Sequence, residues 1–283
     1  MTDLLNLFTI KKIIFRNSIL LRNKKMHINN FFINKKIGGT HKERESSTKD
    51  EKLIITYKGK EYIYSQSVDD NYYILYSYDN LDCVSVIIFP EDNNAEIHGI
   101  GNYKSCLSRL DTNISVGSTL LKITIKMLKK YKHKFNIKQI ILTDNSIKEC
   151  GKKNIKLSHM LILLNGDSWY GKYGFRPIDN VSYEYNEILN KQYLNNKNII
   201  NSITIEEANI IKYIKMTKNE NLIKATHKIL LKNKNMLLKD FLKNLLSSYD
   251  EICNDFFKFY EKLYLDIGLI SFYTLLFGLN LDV

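Results

Sequence analysis

From Leu53 onward the apolar positions recur with a period of two. Leu53 to Tyr57 and Glu61 to Ser65 flank Lys58-Gly59-Lys60, which predicts two strands joined by a tight hairpin. Tyr72 to Tyr76 predicts a third strand. Cys83 to Phe89 is a strongly apolar run stopped by Pro90, and Ala95 to Tyr103 predicts its antiparallel partner beyond the turn at Glu91 to Asn94. The first half of the body therefore reads as a β-meander.

The period then lengthens. Ser118 to Tyr131 places Leu120, Leu121, Ile125 and Leu128 against Lys122, Lys126, Lys129 and Lys130, the pattern of an amphipathic helix. Lys138 to Thr143 is short, with Ile140-Ile141-Leu142 at its centre, as expected of a strand buried on both faces. Leu157 to Tyr173 predicts a second helix ended by Gly174, and Val181 to Tyr185 one more strand. From Ser202 to the end the pattern reads as helical throughout, with Thr204 and Glu207 spaced as a capping box. The fold class expected is α+β: a mixed, mostly antiparallel sheet flanked by helices. Three regions are expected: a basic arm and linker over 1–52, a core over 53–190, and a helical C-terminal extension over 191–283.

Composition changes this picture little. The 283 residues are 44% hydrophobic and 25% charged, ordinary globular usage, and enough to bury a core without a disulfide or metal staple. The net charge of +12 allows a polyanionic partner such as nucleic acid. The lysines are scattered, however, and fit solvated helix faces, so that partner is not favoured. The four cysteines form no C-x-x-C pair, no metal spacing is evident, and a reduced, intracellular and cytoplasmic setting is expected. No apolar run is long enough for a transmembrane helix. Residues 1–36 lack acidic residues after Asp3 and mix lysine and arginine with Ile, Leu and Phe. They resemble an organelle-targeting segment or an amphipathic surface helix, with a basic arm packed weakly on the body as the plainer alternative.

Two segments carry candidate chemistry. Thr112-Asn113-Ile114-Ser115-Val116-Gly117-Ser118-Thr119-Leu120-Leu121 is a turn running into a helix, where free backbone N–H groups and the positive dipole end favour an anion. Ser168-Trp169-Tyr170-Gly171-Lys172-Tyr173-Gly174-Phe175-Arg176-Pro177 ends the second helix with a glycine stop and an aromatic anchor. Together with the order of strands and helices, these resemble the core of the GNAT superfamily of acyl-coenzyme A-dependent N-acyltransferases over about Val84 to Pro177. The first segment resembles the family's pyrophosphate loop, Q/R-x-x-G-x-G/A, with Thr112 and Ser115 replacing the usual Gln or Arg and first Gly. The second resembles the family's F-Y-x-K-x-G-F segment.

The resemblance implies transfer of an acetyl group from acetyl-coenzyme A, as co-substrate, to a primary amine of unidentified kind by direct attack in a ternary complex. It implies coenzyme contacts from Ile97 and Gly99 on the strand edge, from Ser115, Val116, Gly117, Ser118 and Thr119 at the helix start, and from Asn145. Tyr170 is implied as the acid that protonates the departing thiolate. Glu96 and His98, at i and i+2 of one strand, are the candidate bases; no metal is expected. His159 reads as structural. Ile147 to Lys156 reads as an insertion at the mouth of the site. A catalytically inactive domain of the same fold and a basic nucleic-acid-associated protein are the alternatives.

Overall fold

The computed structural model describes residues 51–69, 72–77, 83–101, 116–150, 153–180, 182–248 and 252–282. The basic arm, most of its linker, Thr112 and Ser115 lie outside the described residues. The meander forms as the alternation predicts: β1 (Lys52–Tyr57), β2 (Lys60–Asp69), β3 (Tyr72–Ser77), β4 (Val84–Phe89) and β5 (Asn94–Ile100), each antiparallel to the next. The first hairpin turns at Lys58 and Gly59, both at positive φ (51° and 75°), the twist that suits a two-residue hairpin. Helix α1 (Val116–Lys130) then returns the chain to β6 (Gln139–Thr143), parallel to β5.

Two departures from the predicted pattern shape the rest. Helix α2 (Leu157–Asn165) stops at Gly166, whose φ of 71° caps it, eight residues before the predicted stop at Gly174. The Trp169–Tyr170 segment is thereby freed from the helix to form a separate turn, with a 3-10 stretch over Gly171–Tyr173. The last segment is not helical either. Strand β10 (Leu276–Asn280) runs antiparallel between β6 and the short β9 (Arg176–Pro177). The expected strand at 181–185 reduces to one bridge between Ile178 and Tyr185.

The large sheet thus runs β1-β2-β3-β4-β5-β6-β10-β9, with β5–β6 its parallel pair, and a separate hairpin pairs β7 (Ile147–Cys150) with β8 (Lys153–Lys156). The helical segment is an excursion between two neighbouring strands: α3 (Glu187–Ser202), α4 (Ile210–Ile214), α5 (Glu220–Lys232), α6 (Leu238–Ser248), α7 (Ile252–Phe257) and α8 (Tyr260–Asp266). The described residues from 51 to 179 and from 183 to 282 belong to one compact unit. The capping-box bonds do form, Thr204 N donating to Glu207 Oε2 (2.8 Å) and Glu207 N to Thr204 Oγ1 (3.2 Å), at a turn that precedes α4.

The core explains this order. Leu121, Met127 and Leu128 of α1 share one buried core with Leu53, Val86 and Ala95 of the sheet. At the other end Phe277 of β10 meets Tyr193 of α3 (6.1 Å between centroids), which also packs edge-on against Phe272 (5.2 Å). Gly278 lets β10 lie close to its neighbours: a Cβ there would stand 2.6 Å from Gln139 Nε2 and 2.9 Å from Ile178. Asn196 of α3 clasps the loop before β10, donating to Ile270 O (2.7 Å) and accepting from Ile270 N (3.0 Å). Contrary to the reduced thiols expected from the cysteine spacing, Cys150 of β7 and Cys253 of α7, separated by 103 positions, are paired as a disulfide with Cα atoms 5.5 Å apart, an ordinary separation for a bridge.

Some of the basic charge has structural work. Lys126 Nζ donates to Thr56 O (2.8 Å) and Lys130 Nζ to Ile54 O (2.9 Å), covering carbonyls of the edge strand β1. Among the described residues no helix is long and apolar enough to cross a membrane.

Candidate active site

The parallel pair β5–β6 is joined at one end only. Asn94, Ala95 and Glu96 pair with Gln139, Ile140 and Ile141. Beyond Glu96 the two strands pair with each other no further, although β5 continues to Ile100 and β6 to Thr143. A bulge lies just past this point: Val86 opposes Ile97 while Ser85 opposes Gly99, leaving His98 as the extra residue. A bulge adds local twist and bends its strand, and this one lies where the β5–β6 pairing has ended. Gly99 accommodates the bend, since a Cβ would come within 3.2 Å of Ser85 Oγ. Each strand stays anchored on its outer side, β5 through Gly101 N to Cys83 O (2.8 Å) and β6 through β10.

Helix α1 is the crossover between the parallel strands β5 and β6, and such a crossover places its helix N-terminus towards their carboxyl ends. Its first turn carries no acidic residue. Gly117 and Thr119 are buried there, and Ser118 Oγ accepts a hydrogen bond from Trp169 Nε1 (3.3 Å). That bond joins the two segments singled out in the sequence, which are 51 positions apart.

The turn carrying Trp169 and Tyr170 is fixed from below by α3. The Tyr193 hydroxyl donates to Asp167 Oδ1 and accepts from Ser168 N (3.0 Å), and Ser168 Oγ accepts from Gly171 N (3.0 Å). Arg176 Nη1 donates to Gly171 O (3.0 Å) and Phe175 O (2.8 Å). A side chain at Gly171 would overlap Asp167 and Tyr193. Burial pushes the Asp167 carboxyl up, opposed by Lys197 and Arg176. Tyr193 was not anticipated as part of the site, and nothing in the spacing of α3 distinguishes it from its apolar neighbours. Arg176 lies within the motif, and its bonds to the main-chain carbonyls of Gly171 and Phe175 carry no signal in the sequence.

Tyr170 packs against Trp169 (4.9 Å) and Phe175 (6.1 Å). Its phenol is pushed well above the ordinary tyrosine range, first by burial and then by the Asp144 carboxyl. Asp144 follows β6 directly and is fully buried. Its Oδ1 accepts from Ser146 N (3.2 Å) and Ser146 Oγ (2.5 Å), while Oδ2 has no hydrogen-bond partner. Burial raises its pKa against the lowering effect of those two bonds.

The other expected residues are placed as follows. Glu96 and His98 are half-buried on β5, but the alternation that put them on one face stops applying at the bulge. Ile97 is buried against the α1 core, so its contribution to the opening is its main chain. Asn145 is exposed at the end of β6. Val116 begins α1, and Ser115 lies outside the described residues. His159 is buried, stacked on Tyr264 (4.2 Å), and shares a hydrogen bond with Ser271 Oγ (2.6 Å). Burial first, then Lys156, brings its imidazole down to about 4, so it is neutral at pH 7. The insertion at 147–156 forms the β7–β8 hairpin, closed at its base by Leu157 N donating to Ser146 O (2.9 Å). Burial, with help from Asp92 and Glu96, raises the Tyr183 phenol.

No family model, curated protein or solved structure matches the chain.

Proposed function

We propose that this chain is an acyl-coenzyme A-dependent N-acyltransferase of the GNAT type, moving an acetyl group from acetyl-coenzyme A to a primary amine. The observation that carries the reading is the one-ended β5–β6 pair, with the start of α1 and Tyr170 tied together by the bond from Trp169 to Ser118. Past Glu96, where its pairing with β6 ends, the β5 main chain is the expected place for the amide groups of a pantetheine arm, which would add to it as a strand. The start of α1, free of acidic residues, suits a diphosphate. The order of the sheet, a meander followed by a helix, a parallel strand and a second helix, is that of the resemblance.

In this reading the chain mainly positions the two reactants. A main-chain N–H of β5 polarises the thioester carbonyl, and Glu96 or His98 takes a proton from the attacking ammonium, directly or through water. The C–N bond forms, the C–S bond breaks, and the sulfur receives a proton from the side of Tyr170. Titration calorimetry with acetyl-coenzyme A tests the reading. Micromolar binding is expected, weakened by Gly117→Val through a clash with the diphosphate. Absence of binding up to millimolar concentration leaves a domain without coenzyme chemistry and ends the proposal.

A further inference from the structure

The β7–β8 hairpin leaves β6 just past Asn145 and stands apart from the large sheet. A two-stranded hairpin alone is marginally stable in water, so its order depends on how it is fastened to the body. Its base is fixed: Leu157 N donates to Ser146 O (2.9 Å), and Ile155 is fully buried in the core. Strand β8 reaches the C-terminal helices through non-covalent contacts. Lys153 Nζ lies 4.6 Å from the ring centroid of Phe257, Lys156 N donates to the Tyr260 hydroxyl (3.2 Å), and Lys156 Nζ pairs with Glu261 Oε1 (2.7 Å). On β7, Ile147 and Lys148 are exposed, and Cys150 at the far end is joined to Cys253 of α7.

The two ends of that bridge are not held alike. Helix α7 is anchored on its own account: Phe256 is fully buried and stacks on Tyr260 (5.5 Å between centroids), and Asp255 Oδ2 accepts from Asn219 Nδ2 (2.9 Å). The far end of β7 depends on Cys150, because the ion pair at Lys156 is half-exposed and contributes little. The bridge is also within reach of a reductant. Cys253 is partly exposed while Cys150 is buried, so an incoming thiolate meets the sulfur of Cys253 first. Cys150 is then the leaving group, and Lys153, its partner across the hairpin, favours its departure as a thiolate. Disulfides exposed to attack in this way are the labile, regulatory kind.

We propose that the Cys150–Cys253 bridge is a redox-sensitive tie that fastens the β7–β8 hairpin to α7, and that a dithiol reductant releases it. One thiolate of the dithiol attacks Cys253 Sγ, the S–S bond breaks, and Cys150 Sγ keeps the electron pair. The second thiolate attacks the reductant's own sulfur in the mixed disulfide and frees Cys253. The dithiol ends as a disulfide, and the two protons it gives up end on Cys150 and Cys253. With the tie open, β7 and β8 loosen from the far end while the bond between Leu157 and Ser146 keeps the base in place. The inference does not depend on the transferase reading, since it concerns only what holds the hairpin. Within that reading, the segment that loosens adjoins Asn145.

Native alkylation and hydrogen exchange on the full chain test the tie. Without reductant, iodoacetamide should leave Cys150 and Cys253 unmodified. With dithiothreitol both should be alkylated while the far-ultraviolet circular dichroism stays native. Amides of β7 and β8 should then exchange at least about tenfold faster, and those of β6 and α2 should change less than about twofold. Cys253→Ser should show the fast exchange without reductant and no further response to it, which separates this bridge from Cys83, also disulfide-bonded. Reduction of the wild type decides the matter even where that variant fails to fold. Alkylation of both cysteines without reductant, resistance to dithiothreitol until denaturant is added, or an opened bridge with unchanged exchange in β7 and β8 each overturns the tie. None of these results touches the transferase reading, which binding of acetyl-coenzyme A decides separately.

Discussion

Tyr193→Phe removes one oxygen and tests how the helical excursion holds the turn that carries Trp169 and Tyr170. The hydroxyl accepts from Ser168 N at 3.0 Å, lies 3.1 Å from Ser168 Oγ, and donates to Asp167 Oδ1. Ser168 is buried, so its amide loses its partner with no water to replace it, a cost of about 1–3 kcal/mol. Asp167 is only half-buried and has Lys197 Nζ 3.9 Å away, so its loss is small, about 1 kcal/mol. Ser168 Oγ keeps Gly171 N. The sum is roughly 2–4 kcal/mol, which for a unit of this size lowers the melting temperature by roughly 5–15 °C. Trp169 is the only tryptophan in the chain, so its fluorescence reports the same turn directly. The variant should show a red-shifted emission and easier acrylamide quenching at temperatures where the far-ultraviolet circular dichroism is still native. A melting shift below about 2 °C together with unchanged Trp169 emission would show that α3 does not hold the turn.

Three further outcomes are expected. Burial brings His159 down to about 4 from an ordinary 6.5, so below pH 6.5 the unfolded chain binds a proton that the folded chain refuses until about pH 4. Stability from this group is complete above pH 6.5 and is lost as pH falls towards 4, by roughly 2–3 kcal/mol. Urea unfolding of His159→Phe should be correspondingly flatter over that range, and parallel curves would remove His159 as the cause. The Cys150–Cys253 bridge closes a 103-residue span, for which chain entropy gives at most about 4.7 kcal/mol. Without reductant, Cys253→Ser should therefore melt below the wild type, and equal melts of the two would show that the bridge contributes nothing. Deleting residues 270–283 removes β10 from between β6 and β9 and empties the place of Phe277, so the cooperative melt should disappear. A truncated chain that melts cooperatively would contradict β10 as an integral strand.

The meander, α1 and β6 were legible because their periods are clean and their ends are marked by turn residues such as Lys58-Gly59 and Pro90. The end of α2 was not, because Leu157 to Leu164 and the aromatic run after Asp167 read as one apolar stretch, and Gly166 alone marks the break. Strand β10 was hidden for a different reason. Leu276-Phe277-Gly278-Leu279 is too short and too uniformly apolar to show period two, and its strand form depends on β6 and β9, which lie far back in the chain. The joining of the helix start to the tyrosine turn was legible as two motifs, but the bond between Trp169 and Ser118 was not. Asp144 looked like ordinary turn chemistry, and half of it is, since Oδ1 binds Ser146 as a turn aspartate does. Only burial and the empty Oδ2 separate it from that role.

A parallel pair that opens at one end needs a reason not to close. Main-chain groups strongly favour pairing, and two strands clamped at Asn94–Glu96 and Gln139–Ile141 would zip together if both were free. Neither is free. The outer edge of β5 is fixed to β4 through the bulge and as far as Gly101, and the outer edge of β6 is fixed to β10 along Gln139–Thr143, with Asp144 continuing the contact. Closing the gap would break bonds on both outer edges to make bonds on the inner ones, with no net gain in hydrogen bonding. The short register of the β5–β6 pair is thus matched by full pairing on the outer edges, to β4 on one side and to β10 on the other. That explains why the helical excursion cannot be separated from the site: α3 and the loop before β10 position Tyr170 and Asp144 respectively, and both depend on the chain returning to the sheet.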